Sequence, residues 1–212
     1  MGDQERKNEL RSKMLQRRES ISSDQFYSAS NVIINRLIRQ PEYADAQTIH
    51  CYVSMNDRRE VNTHKLIKQM LRQEKKMVVP ITNFNDGTLT HIELSSFGDL
   101  VPNKWGVLEP DSGKEVSISE LELIIVPMVA ADEQGNRIGY GKGFYDRFLD
   151  KADCPTIGLI FEQNVIAKVP TDGCLRPVWR APVVCWSSWG RFMATSISEP
   201  VAGAALWWLD CG

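Results

Sequence analysis

The 212-residue sequence predicts one α/β domain, built on an open, mostly parallel sheet flanked by helices, with an atypical C-terminal tail. Three observations support this fold class. Segments rich in β-forming residues alternate with amphipathic helical segments, which is typical of layered α/β folds. The run 121–126 is almost entirely apolar, like a strand that is covered on both faces. The length suits one domain with a sizeable core.

The N-terminal segment predicts two helices. Residues 4–18 carry an apolar stripe surrounded by Lys and Arg, and therefore predict a basic amphipathic helix. Ser22 and Gln25 have the spacing of a capping box, so a second helix is expected to begin there. It should end near residue 39, because Pro41 cannot continue it.

The rest of the chain predicts alternating strands and helices. The predicted strands are 48–54, 76–81, 88–93, 121–126 and 155–161. The predicted helices are 63–73 and 144–149. Asn85, Asp86 and Gly87 form the turn of a hairpin between the second and third strands. The stretch 95–113 contains Pro and Gly at intervals and is expected to be a loop.

Composition and charge exclude several classes of function. The formal net charge is −2, whereas binding to nucleic-acid phosphates needs a basic excess, so no nucleic-acid partner is expected. No membrane association is expected, because no run approaches the roughly 18 apolar residues of a span. No secretory signal is expected either, because residues 1–5 contain no apolar run. The Cys residues form no C-x-x-C pair and the His residues have no metal-ligand spacing. A cytoplasmic protein with reduced thiols is therefore expected.

The segment 135–146 carries the pattern that most strongly indicates chemistry. It reads Gly-Asn-Arg-Ile-Gly-Tyr-Gly-Lys-Gly-Phe-Tyr-Asp, follows the buried strand and leads into a helix. In open α/β sheets, ligands bind beyond the carboxyl ends of the strands. Glycines there let backbone N–H groups approach phosphate oxygens, and Arg137 and Lys142 add positive charge. Asp146 is a candidate magnesium ligand. The segment therefore has the components of a nucleoside triphosphate site.

Spacing alone leaves alternatives open. The segment is not a Walker A loop, because neither Ser nor Thr follows its Gly-Lys pair, and its alternating glycines do not fit the dinucleotide motif. A flexible structural turn is the alternative interpretation. Lys7 and Arg11, taken alone, suit a solvated helix face. Trp105 alone suits core or loop packing, and Glu60 alone suits a surface carboxylate.

The same segment resembles the signature of the 5-formyltetrahydrofolate cyclo-ligases, also called methenyltetrahydrofolate synthetases. The resemblance covers about residues 5 to 172. It includes Lys-Asn-Glu-Leu-Arg at 7–11, the folate-side loop at 53–57 and 60–63, Trp-Gly-Val-Leu-Glu-Pro at 105–110, and strands at 123–127 and 157–159. Because several separate motifs match together, the resemblance is specific.

The resemblance implies an enzyme on an open α/β sheet related to nucleotide-binding folds. That enzyme would convert 5-formyltetrahydrofolate and ATP to 5,10-methenyltetrahydrofolate, ADP and phosphate, with Mg²⁺. The folate and ATP are the partners it implies, and a monomer is expected. Transfer of the γ-phosphoryl group to the formyl oxygen creates a good leaving group, and a neighbouring folate nitrogen then closes the ring.

The resemblance also assigns roles to individual residues. Those implied to contact ATP are Lys7, Arg11, Arg137, Gly139, Gly141, Lys142 and Gly143. Those implied to line the folate pocket are Val53, Glu60, Trp105, Phe144 and Tyr145. Those implied to be catalytic are Lys142, Arg137 and Tyr145. Asp146 is the implied magnesium ligand.

The chain departs from the family pattern at two places. Arg58 and Arg59 stand between Asp57 and Glu60, where the family places Glu directly after the Asp. A bulged loop would restore the position of Glu60, since short insertions in surface loops cost little free energy. Leu175 stands where the family supplies a second Asp as a magnesium ligand.

The C-terminal composition predicts a boundary near residue 172. Residues 1–172 carry the cyclo-ligase-like pattern, whereas 173–212 hold five of the six Trp residues and no Lys. We interpret the tail either as a replaced segment without stable packing or as an added Trp-rich module that packs on the sheet or on a partner. Two alternative functions are therefore also considered. One is a folate- or nucleotide-binding relative with reduced or lost turnover, and the other is another small-molecule kinase or ATPase.

Overall fold

The computed structural model describes residues 3–170 and 183–186. The helices are α1 (Asp3–Glu19), α2 (Ser23–Leu37), α3 (Pro41–Asp45), α4 (His64–Arg72) and α5 (Phe144–Leu149). The strands are β1 (Thr48–Cys51), β2 (Lys76–Asn83), β3 (Thr88–Glu93), β4 (Leu100–Pro102), β5 (Leu108–Pro110), β6 (Leu123–Pro127), β7 (Ala130–Asp132), β8 (Arg137–Ile138), β9 (Thr156–Phe161), β10 (Val165–Ile166) and β11 (Val183–Trp186).

The central sheet confirms the predicted fold class. Within the described residues it has six strands in the order β11-β9-β6-β1-β2-β3. Neighbours are parallel from β11 through β2, and β3 alone pairs antiparallel, with β2. In the register of the sheet, His50 of β1 lies between Val78 of β2 and Ile124 of β6.

Helices cover both faces of this sheet, which explains the apolar composition of β6. On one face, Ile125 of β6 lies in a core with Phe26 of α2 and Leu66 of α4. On the other face, Ile124 packs in a second cluster with Phe148 of α5. Because successive side chains of a strand point to opposite faces, a strand covered on both sides must be apolar at consecutive positions.

The two predicted N-terminal helices are confirmed. Ser22 caps α2: its side chain accepts a hydrogen bond from the Gln25 backbone, and the Gln25 side chain accepts one from the Ser22 backbone. Along α1, the stripe Leu10, Met14 and Leu15 packs against the region of β7 and β8. This packing brings the N-terminal helix next to segment 135–146.

Two expectations about loops and strands need correction. The stretch 95–113 is not a plain loop, because β4 and β5 form a small antiparallel sheet within it. Strands of three residues are too short to show a period-two pattern, so the sequence did not reveal them. The strand expected at 48–54 ends at Cys51, because the next polar backbone groups bond elsewhere: the Thr63 hydroxyl donates to the Tyr52 carbonyl over 2.8 Å.

Most of the predicted tail lies outside the described residues. The exception is the backbone of β11, which extends the sheet as a parallel neighbour of β9. Leu175, the boundary at residue 172 and both interpretations of the tail therefore stay predictions. None of the described helices is both long enough and apolar enough to cross a membrane.

Candidate active site

A cavity of about 330 Å³ opens at the carboxyl ends of β1, β2 and β6. Tyr52 and Val53, which follow β1, line it together with Pro127 at the end of β6 and Thr82 near the end of β2. This is the edge of the sheet at which parallel α/β folds bind ligands, and the sequence predicted the site there. Segment 137–146 forms one wall of the cavity.

Residues 139–143, hereafter the glycine loop, connect β8 to α5. The loop needs glycine at two positions, because Gly141 has φ +90° and Gly143 has φ +71°. Space is also limited at Gly141: a Cβ atom there would lie 2.9 Å from Cζ of Arg11. Arg11 holds the loop from outside the cavity, since its Nε donates to the Gly139 carbonyl over 2.8 Å.

Asp132 holds the hairpin of β7 and β8, which positions Arg137. The Asp132 side chain is buried and accepts hydrogen bonds from the backbones of Gln134, Asn136 and Val169. The Asn136 amide also donates to both Asp132 carboxylate oxygens. Because this turn is fixed, Arg137, the first residue of β8, lies at the cavity wall.

Arg137 and Asp146 form an ion pair across the glycine loop. Arg137 Nη2 donates to Asp146 Oδ1 over 2.5 Å. The Arg137 side chain is 4% exposed, whereas that of Asp146 is 65% exposed. Burial lowers the pKa of the Arg137 guanidinium, and the nearby Asp146 charge opposes that shift. The buried cation and the exposed carboxylate thus present both signs of charge beside the loop.

Lys142 is an exposed residue of the glycine loop and lines the cavity. Its carbonyl accepts a hydrogen bond of 2.9 Å from Arg147 Nη2. Nε of Arg147 also donates to the Gly87 carbonyl over 2.8 Å, in the turn between β2 and β3. Arg147 therefore ties the glycine loop to the hairpin that carries Phe84.

Glu60 points to the cavity despite the two-residue insertion before it. Residues 56–58 form a short 3₁₀ turn, and Arg59 takes a left-handed conformation at φ +52°. The Glu60 carboxylate, 4% exposed, accepts hydrogen bonds of 2.6 Å from the Met55 backbone and from the Tyr140 hydroxyl. Burial raises the pKa of Glu60, and Arg18 and these hydrogen bonds oppose the shift. Glu60 thus lines the cavity with Arg58 and Arg59 accommodated in this turn.

An aromatic cluster of Phe84, Trp105 and Phe144 lines another part of the cavity. The ring centroids of Phe84 and Trp105 are 3.5 Å apart, and Phe144 meets Phe84 edge-on at 5.4 Å. Phe84 and Trp105 remain 41% and 48% exposed. Large exposed rings beside a cavity offer a flat, apolar surface for a planar ligand.

Tyr145 lines the cavity but its hydroxyl is buried. Among the described residues this hydroxyl has no hydrogen-bond partner, and burial raises its pKa well above the ordinary value. Its ring lies 6.0 Å from that of His50 and 5.9 Å from that of Phe148, in the core. A tyrosine with this environment stays neutral at physiological pH.

The structure brings most of the predicted site residues to one cavity. Those that line it are Val53, Glu60, Trp105, Arg137, Gly139, Gly141, Lys142, Gly143, Phe144, Tyr145 and Asp146. Lys7 and Arg11 do not line it. They lie one helical turn apart on α1, and Arg11 reaches the outer side of the glycine loop.

Sequence reasoning missed several residues of this site. Glu109 and Tyr140 line the cavity and both lie within motifs that the resemblance covers, so their positions carried a signal. Phe84 is a single aromatic residue in a hairpin and had no signal. Asp132 also had none, because an acidic residue before Gly135 is usual for any turn.

The residues present fit a magnesium ion that is shared with a nucleotide. No group of three His, Cys, Asp or Glu side chains within residues 3–170 forms an all-protein metal site. Mg²⁺ commonly binds through one or two carboxylates, with substrate phosphates and water completing its shell. Asp146 is an exposed carboxylate beside the glycine loop and supplies such a donor.

Comparison with known proteins identifies the family. The model of the 5-formyltetrahydrofolate cyclo-ligase family matches residues 3–180. The chain belongs to this family. The family match therefore includes α1, the glycine loop and the whole cavity, and it runs past the predicted boundary at residue 172.

Individual cyclo-ligase relatives agree with this assignment. The mouse 5-formyltetrahydrofolate cyclo-ligase is 28% identical over 176 residues, covering 77% of this chain and 86% of the mouse protein. The Escherichia coli K12 enzyme of the same name is 29% identical over 163 residues, covering 74% and 88%. The NMR structure of Aquifex aeolicus 5,10-methenyltetrahydrofolate synthetase matches with a TM-score of 0.78 and 26% identity, covering 93% of this chain and 96% of that one.

Proposed function

We propose that this chain converts 5-formyltetrahydrofolate and ATP to 5,10-methenyltetrahydrofolate, ADP and phosphate. One observation carries the proposal: a single cavity contains the glycine loop with its cations and also the aromatic cluster with the buried Glu60 carboxylate. A phosphate donor and a flat polar ring can therefore meet in one space. The relatives with the same name support the proposal.

The reaction needs the formyl oxygen to leave. A formamide oxygen is a poor leaving group, so ATP first transfers its γ-phosphoryl group to that oxygen, and the bond from the γ-phosphorus to the bridging oxygen breaks to release ADP. The neighbouring folate nitrogen then attacks the formyl carbon. The attacking nitrogen loses its proton, the carbon–oxygen bond breaks, phosphate departs, and the ring closes. The protein mainly positions the partners and neutralises charge.

The glycine loop and its cations suit the phosphate end of the cavity. Backbone N–H groups of residues 139–143 and the charges of Arg137 and Lys142 would hold the transferred phosphoryl group. Arg137 is held in place by its ion pair and by burial, so it needs little reorganisation. Lys7 and Arg11 would contact phosphates at the outer side of the loop, where Arg11 already bonds to Gly139.

The rest of the cavity suits the folate. Trp105 and Phe144 would pack on the flat pterin, and the Glu60 carboxyl group would accept hydrogen bonds from its amino group. Val53 is buried and adds an apolar contact. The partly buried Tyr145 ring would limit the depth of the cavity and exclude water from the reacting atoms.

Asp146 would hold Mg²⁺ together with the nucleotide. When bound, Mg²⁺ neutralises phosphate charge and favours phosphoryl transfer. Asp146 now accepts a hydrogen bond from Arg137, so binding of MgATP would give each of these two side chains a ligand of opposite charge.

Cytoplasmic location, a monomeric state and the absence of a nucleic-acid partner remain proposals. Cys51 and Cys154 are both free, which suits a reducing compartment. The net charge of −2 gives no basic excess for nucleic acid.

An assay with purified protein tests the function. Methenyltetrahydrofolate formation is followed by its near-ultraviolet absorbance while a coupled assay reports ADP release. Equal rates of the two products are expected. Folate binding without turnover would instead indicate a binding protein, and ATP use with a different substrate alone would indicate another kinase or ATPase.

A variant links that activity to the glycine loop. Lys142→Ala is expected to raise KM for ATP about tenfold, the effect of losing one charge-assisted contact. Lys151→Ala, an exposed Lys just after α5, is the matched control and should behave like the wild type. Unchanged kinetics in Lys142→Ala would remove this side chain from the phosphate site.

A further inference from the structure

Three polar side chains form a hydrogen-bonded chain at the cavity wall: Arg18 and Glu60 are buried, and Tyr140 is half-buried. The Tyr140 hydroxyl donates a hydrogen bond to Glu60 Oε1 over 2.6 Å, and Arg18 Nη2 donates to the same hydroxyl. Arg18 is 2% exposed and Glu60 is 4% exposed. The phenol thus stands between a buried cation and a buried carboxylate, and these residues come from three separate parts of the chain.

Arg18 is fixed by further contacts. Its Nε donates to the Arg58 carbonyl over 2.9 Å, and its Nη1 donates to the Met128 carbonyl over 3.2 Å. The Arg18 guanidinium therefore joins the end of α1, the turn before Glu60 and the segment after β6. Since Arg58 belongs to the two-residue insertion, Arg18 also holds the inserted backbone in place.

Tyr140 connects the two halves of the cavity. It lies between Gly139 and Gly141, so any movement of the glycine loop moves its phenol. Its partner Glu60 faces the proposed folate end, and the other Glu60 oxygen is already held by the Met55 backbone. The orientation of the Glu60 carboxylate therefore depends on where the glycine loop lies.

We propose that Tyr140 and Arg18 are positioning residues that couple the nucleotide and folate sites. A nucleotide that orders the glycine loop fixes the Tyr140 phenol, which orients Glu60 for the pterin. Folate bound to Glu60 orders the loop in return, because coupling between two sites is reciprocal. This inference rests on the proposed function and adds the connection between its two substrates.

Calorimetry measures this coupling without turnover. The affinity of the wild type for 5-formyltetrahydrofolate is measured with and without a non-hydrolysable ATP analogue and Mg²⁺. We expect the analogue to raise folate affinity at least fivefold, and folate to raise the affinity for the analogue by the same factor. In Tyr140→Phe, which keeps the ring and loses the hydroxyl, both ratios should fall close to one. An unchanged ratio in the variant would overturn the inference.

A pH profile separates positioning from general stabilisation. The Tyr140 hydrogen bond and the Arg18 charge lower the pKa of Glu60 against the effect of burial, and Arg58 acts in the same direction. Loss of the Tyr140 hydroxyl should therefore move the acid limb of the pH profile of kcat/KM for folate to higher pH. A fall in melting temperature without this shift, and with the coupling ratio intact, would show a merely structural role and overturn the inference.

Two further variants complete the test. Tyr27→Phe, at an exposed position on α2, is the matched control and should keep the wild-type coupling. Arg18→Lys keeps the charge but cannot reproduce the guanidinium fork, so it should weaken the coupling in the same direction even if Tyr140→Phe fails to fold. A wild type without folate turnover would overturn the proposed function. Wild-type activity with full coupling in both variants would overturn only this inference.

Discussion

The Arg137 guanidinium and the Asp146 carboxylate are in contact, 2.5 Å from Nη2 to Oδ1, although nine positions separate them in the chain. The glycine loop between them turns back so that β8 and α5 present these two side chains side by side. The cation proposed to bind phosphate and the carboxylate proposed to bind Mg²⁺ are therefore in direct contact.

Asp146→Asn is expected to raise the Mg²⁺ concentration needed for half-maximal activity, by about tenfold or more. The amide oxygen still accepts a hydrogen bond from Arg137, but the negative charge that favours Mg²⁺ is lost. Magnesium titration at saturating ATP measures the effect. Asp150→Asn, at the exposed end of α5, is the control. The same magnesium requirement in Asp146→Asn and in the control would exclude Asp146 as the ligand.

Gly141→Ala is expected to destabilise the glycine loop by about 1–3 kcal/mol, because an L-residue at φ +90° is strained. The added Cβ would also lie 2.9 Å from Cζ of Arg11 and disturb its bond to Gly139. KM for ATP should rise, and urea unfolding measures the loss of stability. Gly98→Ala, where a Cβ makes an ordinary 3.5 Å contact, should change neither quantity.

Trp105 is expected to report folate binding. Its ring stacks on Phe84 at 3.5 Å and is 48% exposed, so a pterin that packs on it must change its surroundings. Adding folate should alter tryptophan emission, and the change should be absent in Trp105→Phe. Trp105→Ala should raise KM for folate about tenfold with little effect on KM for ATP. An equal rise for both substrates would argue against a folate-specific role.

His91 is expected to reduce stability in mild acid. Burial lowers its pKa to about 4, and its Nδ1 has no hydrogen-bond partner among the described residues. An unfolded chain protonates His near pH 6.5, so between about pH 6.5 and 4 the unfolded state binds more protons. Stability is therefore complete above pH 6.5 and falls as the pH drops toward 4, by up to about 3 kcal/mol for this group.

The variant His91→Phe isolates that contribution. The phenyl ring can keep the contact with Phe148, whose ring lies 4.2 Å away, but it does not titrate. Urea unfolding at pH 7.5 and pH 5 should show a smaller loss of stability in the variant than in the wild type. Carboxylates contribute equally to both proteins, so equal losses would show that His91 does not titrate differently on folding.

Much of this fold could be predicted because long elements leave clear patterns. The capping box at Ser22 gave the start of α2, and the apolar composition of β6 indicated a strand with helices on both faces. The short strands β4, β5, β7 and β8 could not be predicted, because two or three residues carry no periodicity. The hairpin of β7 and β8 is also held by a long-range contact, from the Val169 backbone to Asp132.

The candidate site was predictable where a motif concentrates its chemistry. The glycine loop, Arg137, Lys142 and Asp146 lie within one segment, so their chemical types and spacing sufficed. Phe84 and Arg18 were not predictable, because each reaches the site only through folding: Phe84 through the hairpin held by Arg147, and Arg18 through its bond to the Arg58 carbonyl. Glu60 combines the two cases. A motif suggested this residue, and the turn at 56–58 followed by the left-handed Arg59 brings it to the cavity.

The most direct test of the account follows the oxygen that must leave. The wild-type protein is given MgATP and 5-formyltetrahydrofolate labelled with ¹⁸O in the formyl group, and the products are analysed by absorbance and mass spectrometry. The account predicts one phosphate for each methenyltetrahydrofolate formed, with the ¹⁸O label in that phosphate. No methenyltetrahydrofolate, or its formation with unlabelled phosphate, would contradict phosphoryl transfer to the formyl oxygen in this cavity.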